Sequence, residues 1–265
     1  MRVILDTQVV SFAKKGILPL PSGFSITSTV AQEFLRVREK STGGARYFTP
    51  PPQGLSPDGR ANYLAGRSIH GGDRPSNRPL FKKVTDKVVM DFNNEYPSVV
   101  EYGHLGISHL INTANRGIYI ESITHLPKHE RKNLIENFEF LADHRAECIP
   151  VDSDCVPIAF FWLREMVSTG MNLKADFRNS LNDMLILATA RSKRLNLWTM
   201  DELLAQFARE HDVSEVASQG DFYELAFSDV PGPERRESRE SKGYRNTGWR
   251  FAIHRAPVPA GPVTR

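Results

Sequence analysis

Cysteine is nearly absent from the 265-residue sequence, which contains only Cys148 and Cys155, and long apolar runs are scarce. The two cysteines have no further Cys or His at zinc-ligand spacing, so we expect reduced, partly buried thiols. The longest apolar run, residues 156–163, is far shorter than the roughly 20 residues of a membrane-spanning helix. The opening residues are typical of a strand rather than of a signal peptide. These absences exclude a disulfide-stapled miniprotein, predict no membrane association and favour a cytoplasmic globular protein.

An excess of basic over acidic residues is confined to two segments of the chain. Residues 40–83 hold eight basic and two acidic side chains, and residues 231–265 hold eight basic and three acidic ones. Because the formal net charge of the whole chain is +3, the remaining residues together carry −8. An acidic body with two basic segments suggests a polyanion as the partner.

Short apolar strands alternate with helical patterns along most of the chain. Strands are predicted at residues 2–5, 23–26, 195–199 and 224–227, and helices at 30–38, 155–166, 181–193 and 201–209, with helical spacing also at Leu134, Phe138 and Leu141. This alternation predicts an α/β fold with a parallel sheet sandwiched between helices. A chain of this length buries roughly 70–75% of its unfolded surface, so its core requires no metal ion.

Composition divides the chain into a body, an insertion and a tail. Residues 1–230 are predicted to form the α/β domain, with an inserted helical or irregular lobe at about 40–149. The first part of that lobe, residues 41–79, is rich in Gly, Pro, Ser, Asn and Arg. Residues 231–265 have the composition of a basic, flexible tail.

Two aspartates follow predicted strands. Asp6 comes directly after the first strand, and Asp201 stands two residues beyond the strand that ends at Thr199. Because the carboxyl ends of parallel strands share one edge, where ligands bind in open α/β sheets, the two carboxylates are expected to face each other. The alternative for each is that it caps the following helix, which is the commoner role of an Asp in this place.

Two further carboxylates fall on predicted helices. Glu33 lies at the edge of an apolar stripe, and Asp183 shares a helix face with Ile186 and Leu187. The alternatives are a solvated helix flank for Glu33 and, for Asp183, stabilisation of a first helical turn in a capping-box spacing with Ser180. If all four carboxylates converge, their repulsion favours a hard divalent cation with oxygen ligands, Mg²⁺ or Mn²⁺, which activates water for phosphoryl hydrolysis.

The sequence around these carboxylates resembles a known family. Val3-Ile-Leu-Asp6-Thr7, Ile26-Thr-Ser-Thr-Val-Ala-Gln-Glu33, Asn182-Asp183-Met-Leu-Ile and Leu197-Trp-Thr199-Met-Asp201 are similar to the successive acidic motifs of PIN-domain nucleases. The resemblance covers about residues 1–38 and 150–228. Gln8 departs from the Asn or Ser common in the family, and the 150 residues between Glu33 and Asp183 exceed the usual spacing, hence the predicted insertion.

The resemblance implies a parallel sheet flanked by helices, with three or four acidic residues around one or two Mg²⁺ or Mn²⁺ ions. It assigns Asp6, Glu33, Asp183 and Asp201 as metal ligands or water-positioning groups, supported by Thr7, Asn182 and Thr199. Most small family members cut RNA, and many are toxins of bacterial toxin–antitoxin pairs. It therefore implies an endoribonuclease that acts as a toxin or defence effector, with an inhibitory protein partner and a homodimer left open.

The first basic segment offers candidate nucleic-acid ligands. Its basic side chains stand among aromatic ones, a mixture suited to phosphates and unpaired bases, although an ordinary solvated loop has the same composition. The candidates are Arg46, Arg60, Arg67, Arg74, Arg78, Lys82 and Lys83. Two other functions stay open: a non-catalytic PIN-like module that binds nucleic acid or an assembly, and a structure-specific DNA nuclease.

Overall fold

The computed structural model describes residues 2–38, 45–46, 87–91, 99–124, 126–152, 154–169, 177–227 and 249–252. The helices in these ranges are α1 (Thr7–Lys14), α2 (Ser28–Phe34), α3 (His104–Asn112), α4 (Arg116–Ser122), α5 (Lys128–Asp143), α6 (Cys155–Ser168), α7 (Phe177–Lys193) and α8 (Glu202–Glu210). The strands are β1 (Val3–Leu5), β2 (Phe24–Thr27), β3 (Val37–Arg38), β4 (Ala45–Arg46), β5 (Lys87–Asp91), β6 (Val99–Tyr102), β7 (Glu147–Ile149), β8 (Asn196–Thr199), β9 (Glu215–Gln219), β10 (Phe222–Ala226) and β11 (Trp249–Ala252).

Six of these strands form one mixed sheet in the order β7-β2-β1-β8-β10-β9. The pairs among β7, β2, β1 and β8 are parallel, whereas β10 is antiparallel to both β8 and β9. The predicted α/β class with a parallel sheet is therefore confirmed for the four strands joined by helical crossovers. It is wrong for β10 and β9, which a two-residue turn connects, because so short a connection can join only antiparallel strands.

The strand order reverses beside the first strand. From β1 the chain moves outward to β2 and then β7, and it returns to the opposite side of β1 to form β8. Such a reversal leaves a crevice at the carboxyl ends of the two central strands, where open α/β sheets bind their ligands. The residues that follow β1 and β8 therefore border the natural ligand site of this sheet.

The core is built on the apolar central strands and two helices that pack on them. Ile4, Leu5 and Ile26 are fully buried, as are Ile186 and Leu187 of α7. A helix that is buried on nearly all sides is largely apolar. From Ser180 to Ala190, α7 is buried at every position except Asp183, and the buried polar residues in this range are Ser180, Asn182 and Thr189. The helix α7 is therefore part of the core and packs on α2, α6 and β8.

The helix predicted at 30–38 ends early. Thr27 is its N-cap and accepts a hydrogen bond from the amide of Val30 at 3.1 Å, so the helix begins at Ser28. It stops at Phe34, and Val37–Arg38 pairs antiparallel with Ala45–Arg46. The β-branched Val37 favours this extended pairing over a further helical turn.

The predicted insertion and tail are described only in part. β5, β6 and β11 form a second, three-stranded sheet, and within the predicted limits of 40–149 the strand β7 belongs to the main sheet. Most of 41–79 and of 231–265 lies outside the described residues, and the domain limits stay a prediction.

The cysteines are unpaired and buried, as the sequence predicts. Burial raises the pKa of Cys148 to about 12 and that of Cys155 to about 11, so both are thiols rather than thiolates. In the ranges given above, no helix has the length and apolarity needed to cross a membrane.

Candidate active site at the carboxyl edge of the sheet

Asp6 and Asp201 both cap helices, as the commoner alternative predicts. Asp6 is the N-cap of α1 and accepts the amide hydrogen of Thr7 at 2.6 Å. Asp201 is the N-cap of α8 and accepts that of Leu204 at 3.0 Å. Each of these contacts engages a single carboxylate oxygen, Oδ1. Capping therefore fixes both side chains at the sheet edge without using all their oxygen atoms.

Thr199 joins the two aspartates. Its hydroxyl donates to Oδ2 of Asp6 at 2.7 Å and accepts the amide hydrogen of Asp201 at 3.0 Å. In the adjoining ladder the amide of Asp6 donates to the carbonyl of Trp198 at 2.9 Å. The ends of β1 and β8 thus lie side by side, and the predicted juxtaposition of Asp6 with Asp201 is observed.

Glu33 is tied to the same edge by two neutral donors. Its Oε1 accepts a hydrogen bond from the amide of Asn182 at 2.8 Å, and its Oε2 accepts one from the hydroxyl of Thr7. Because Thr7 follows Asp6 and Asn182 precedes Asp183, Glu33 connects segments that carry the other candidate carboxylates. The alternative of a solvated flank for Glu33 is wrong.

The burial of two helices is interrupted at acidic residues. In α2 every residue except Glu33 is buried, and from Ser180 to Ala190 every residue except Asp183 is buried. Both exceptions are half-buried, and the two helices pack on each other. Two otherwise enclosed helices thus reach solvent through a carboxylate.

The capping alternative for Asp183 is also wrong. α7 begins at Phe177, so Ser180 is inside the helix and Asp183 lies in its second turn. First-turn stabilisation by the helix dipole falls off beyond that turn. Asp183 stands beside Asn182, whose side chain contacts Glu33, and this adjacency places it next to the network.

The electrostatics of the cluster are dominated by Asp6. Its side chain is 4% exposed, and burial is the largest of the effects that raise its pKa from 3.8 to about 6. The charges of Glu33 and Asp201 raise this pKa further, while the hydrogen bonds from Thr199 and from the Thr7 amide lower it. The two charged side chains that influence the pKa of Asp6, Glu33 and Asp201, are both anions.

The donor set has the chemistry of a site for a hard cation, but its atoms do not converge on one point. Aspartate and glutamate oxygens are the ligands that Mg²⁺ and Mn²⁺ prefer. In the described part of the chain, however, no group of three or more His, Cys, Asp or Glu side chains is arranged to hold an ion. Each carboxylate oxygen has two lone pairs, so the hydrogen bonds to Asp6 and Glu33 leave a coordinating position on each oxygen.

Every side chain of this network was among the predicted site residues, but the hydrogen bonds between them were not predicted. Spacing alone gives no signal that Thr7 binds Glu33 or that one hydroxyl serves both Asp6 and Asp201. Of the predicted nucleic-acid ligands, Arg46 belongs to β4. The others, Arg60, Arg67, Arg74, Arg78, Lys82 and Lys83, lie outside the described residues.

Comparison with known proteins finds no relative of this chain. The likeness to PIN-domain nucleases therefore rests on the acidic motifs themselves. No protein-family model, no curated protein and no solved structure matches the chain.

Proposed function

We propose that the protein is a metal-dependent endoribonuclease of the PIN-like type. The observation that carries the proposal is the joining of Asp6, Glu33 and Asp201 through Thr7, Asn182 and Thr199. These carboxylates come from three distant segments and meet at the switch point of the sheet. A purely structural role accounts for each helix cap and for the donors to Glu33 taken singly, but it gives no reason for three acidic side chains to share one network at the ligand edge of the sheet.

The charge balance favours a divalent cation. Two carboxylates 4 Å apart repel each other by about 4 kcal/mol at an effective dielectric constant near 20. The charges of Glu33 and Asp201 both act on Asp6 in this direction and raise its pKa. A bound cation removes the repulsion, and Mg²⁺ and Mn²⁺ suit a site built from carboxylates without His or Cys.

In this proposal the chain's own residues orient the reacting groups. A divalent cation supplies an activated water and neutralises charge that develops on the phosphodiester. Asp6, Asp183 and Asp201 provide the anionic ligands, and the hydroxyl of Thr199 fixes Asp6 relative to Asp201. Thr7 and Asn182 hold the carboxylate of Glu33, which positions an ion or the water. The water oxygen would bond to phosphorus and give up one proton to solvent, while the phosphorus–oxygen bond to the leaving strand would break and the departing oxygen would take up a proton.

A cleavage assay tests the mechanism and its substrate. Labelled RNA and DNA of one sequence, with and without hairpins, are incubated with Mg²⁺ or Mn²⁺. We expect cleavage of RNA that is abolished by excess EDTA and by Asp6→Asn or Asp183→Asn. The matched control is Glu210→Gln, which removes an exposed carboxylate at the opposite end of α8 and should leave cleavage unchanged.

Three outcomes contradict the proposal in different ways. Undiminished cleavage by Asp6→Asn in excess EDTA refutes the metal mechanism. Preference for hairpin DNA over RNA favours a structure-specific DNA nuclease. Absence of any cleavage, with folded protein, favours a module without activity.

The second candidate is a non-catalytic PIN-like module that binds nucleic acid or docks in an assembly. It is favoured by the lack, in the described ranges, of a side-chain group arranged to hold an ion. Titration calorimetry separates the two candidates. Binding of Mn²⁺ that Asp6→Asn abolishes supports the nuclease, and no binding of either cation supports the module.

A role as a toxin or defence effector is part of the proposal through the family resemblance alone. Expression of the active enzyme should then arrest growth, whereas expression of Asp6→Asn should not. Equal growth of both strains, at equal protein levels, contradicts this role.

A further inference from the structure

The two edge strands of the six-stranded sheet, β7 and β9, differ in whether their outward backbone groups are hydrogen-bonded. At one edge, the side chain of Asn112 pairs with the backbone of Cys148 in β7. Its Oδ1 accepts the Cys148 amide hydrogen at 2.7 Å, and its Nδ2 donates to the Cys148 carbonyl at 2.9 Å. These are the bonds that another strand would make. Asn112 therefore closes the β7 edge against strand addition.

The pairing pattern shows which backbone groups line the other edge, at β9. The carbonyl of Trp198 accepts from Asp6, so the peptide groups of Trp198 face β1. By the alternation of a strand, those of its neighbour Thr199 face β10, where Thr199 pairs with Tyr223. The peptide groups of Glu224, the next residue of β10, then face β9.

The same alternation continues across the hairpin. Glu224 pairs with Ala217, so the peptide groups of Ala217 face inward. Those of Val216 and Ser218 face away from β10. Among the described strands none pairs with this side of β9, and four of its five residues are exposed. The outer edge of β9 thus presents two amide hydrogens and two carbonyls in strand geometry.

The hairpin that carries this edge is acidic. Residues 211–227 contain four carboxylates and no Lys or Arg, namely Asp212, Glu215, Asp221 and Glu224. Asp212, Glu215 and Asp221 are exposed. The nearest basic side chains lie before β9 begins: His211 and Arg209 precede Asp212 in the sequence, and Arg191 donates to the carbonyl of Val213 at 3.0 Å. The charge beside the open edge is therefore negative on a surface accessible to solvent.

We propose that the outer edge of β9 docks a basic, extended segment of a partner protein, which adds to the sheet as a seventh strand. Main-chain hydrogen bonds to Val216 and Ser218 provide the binding geometry, as in other strand additions. Alternating Lys or Arg side chains of the segment match Glu215 and Asp221.

Charge excludes two classes of occupant from this edge. A second copy of the chain would bring two acidic hairpins together along one seam, and like charges across strands are destabilising. A nucleic acid is excluded from the edge by its phosphates and has no strand backbone to pair. A basic peptide satisfies both the hydrogen-bonding groups and the charge.

The docking edge is near the candidate site but independent of it. Tyr223 pairs with Thr199, so the turn at Gly220–Asp221 lies at the same sheet edge as Asp6 and Asp201. The proposal uses no residue of the acidic network and no activity. It is tested without a nuclease assay, and its failure leaves the proposed function untouched.

The test compares three fluorescently labelled octapeptides by anisotropy with the full chain. Alternating Lys-Thr has the charge and the backbone donors. An alternating Lys-Pro peptide whose Lys backbone amides are N-methylated, called Lys-Pro below, has the charge but no backbone donors. Alternating Glu-Thr has the opposite charge. We expect Lys-Thr to bind at least about tenfold tighter than Lys-Pro, because ladder hydrogen bonds are lost. Glu-Thr should not bind.

Hydrogen exchange locates the peptide. Saturation with Lys-Thr should slow exchange of the Val216 and Ser218 amides and leave that of Ala217 unchanged, since Ala217 already pairs with Glu224. Equal affinity for Lys-Thr and Lys-Pro, or protection elsewhere, overturns the proposal in favour of general charge attraction. Absence of binding by either Lys peptide also overturns it.

Two protein variants test the edge itself. Ser218→Pro removes an outward amide hydrogen and should weaken Lys-Thr binding about tenfold. Because Pro can disturb the hairpin, the double variant Glu215→Gln with Asp221→Asn provides a second route that keeps the backbone. It should weaken binding, whereas the matched pair Glu136→Gln with Asp143→Asn on exposed α5 positions should not. Equal loss in both double variants contradicts docking at β9.

Discussion

The buried carboxylate of Asp6 should make the metal-free protein less stable as pH rises. Its pKa is about 6 in the folded chain, against 3.8 for the ordinary group. The folded state therefore binds more protons than the unfolded state between about pH 4 and pH 6, and the free energy of unfolding falls across that window. A shift of about two pKa units corresponds to about 3 kcal/mol.

Asp6→Asn removes this titration at a small cost. The amide of Asn donates where Asp6 accepts from Thr199, so the Thr199 hydroxyl loses its acceptor, at about 1 kcal/mol. Below about pH 4 the variant should therefore be less stable than the original protein by about 1 kcal/mol. Above about pH 6.5 it should be more stable by about 2 kcal/mol, so the two stability curves cross near pH 4 to 5.

Urea unfolding in EDTA, measured at intervals from pH 4 to pH 7.5, checks this prediction. The difference between Asp6→Asn and the original chain cancels the titration of all other groups to first order. Asp221→Asn, which replaces an exposed carboxylate in the turn between β9 and β10, serves as the control, and its stability curve should not cross that of the original chain. A difference that is constant with pH, or that grows in favour of Asp6 as pH rises, would refute a raised pKa at this position.

Three further outcomes follow from the same contacts. Excess Mn²⁺ should raise the melting temperature of the original protein and not of Asp6→Asn, since a ligand of the folded state stabilises it by mass action; an equal rise in both refutes binding at Asp6. Thr199→Val should lower the free energy of unfolding at pH 7 by about 3 kcal/mol, because a buried hydrogen bond to a charged group is lost. If urea unfolding shows a decrease of less than about 0.5 kcal/mol, the hydroxyl of Thr199 does not stabilise Asp6 as described. Asn112→Ala should cost about 1–3 kcal/mol and expose the β7 edge, so light scattering should detect association that rises with concentration, and a monodisperse variant would argue against edge closure.

The parts of the fold predicted correctly are those in which one residue pattern has one physical solution. The apolar run before Asp6 is the buried central strand β1, and a strand buried on both faces needs continuous hydrophobic residues. The strand that ends at Thr199 is marked by alternation instead, since Leu197 and Thr199 are buried and the residues between and before them are only partly so. The periodicity at Leu134, Phe138 and Leu141 corresponds to α5, whose buried face contains all three. At these elements the pattern of apolar residues in the sequence directly indicates which positions are buried.

The strand β9 leaves no such trace. Four of its five residues are exposed, so it lacks the alternation by which strands are recognised, and its place depends on pairing with β10. The start of α7 at Phe177 is hidden for a related reason, because Ser180 and Asp183 imitate a capping box inside the helix. Local chemistry is ambiguous there, and tertiary packing decides.

For the candidate site, the sequence predicted which residues lie in it better than it predicted which of them are hydrogen-bonded to each other. The strand ends predicted that Asp6 and Asp201 would lie side by side, and the hydroxyl of Thr199 joins these two residues. The hydrogen bond from Asn182 to Glu33 depends on the packing of α2 against α7. The two residues are 149 positions apart in the chain. No local pattern encodes a contact of that range.

The hydroxyl bond from Thr199 to Asp6 spans 193 positions and has a consequence for synthesis on the ribosome. A nascent chain that has emerged only as far as α6 already contains Asp6 and Glu33, yet it lacks the threonine and the helix that orient them. Long-range contacts of this kind form late, after the loop between their partners has closed. The acidic network is thus assembled only once nearly the whole domain is translated, so an abandoned or truncated translation product carries the carboxylates without the geometry that would make them function.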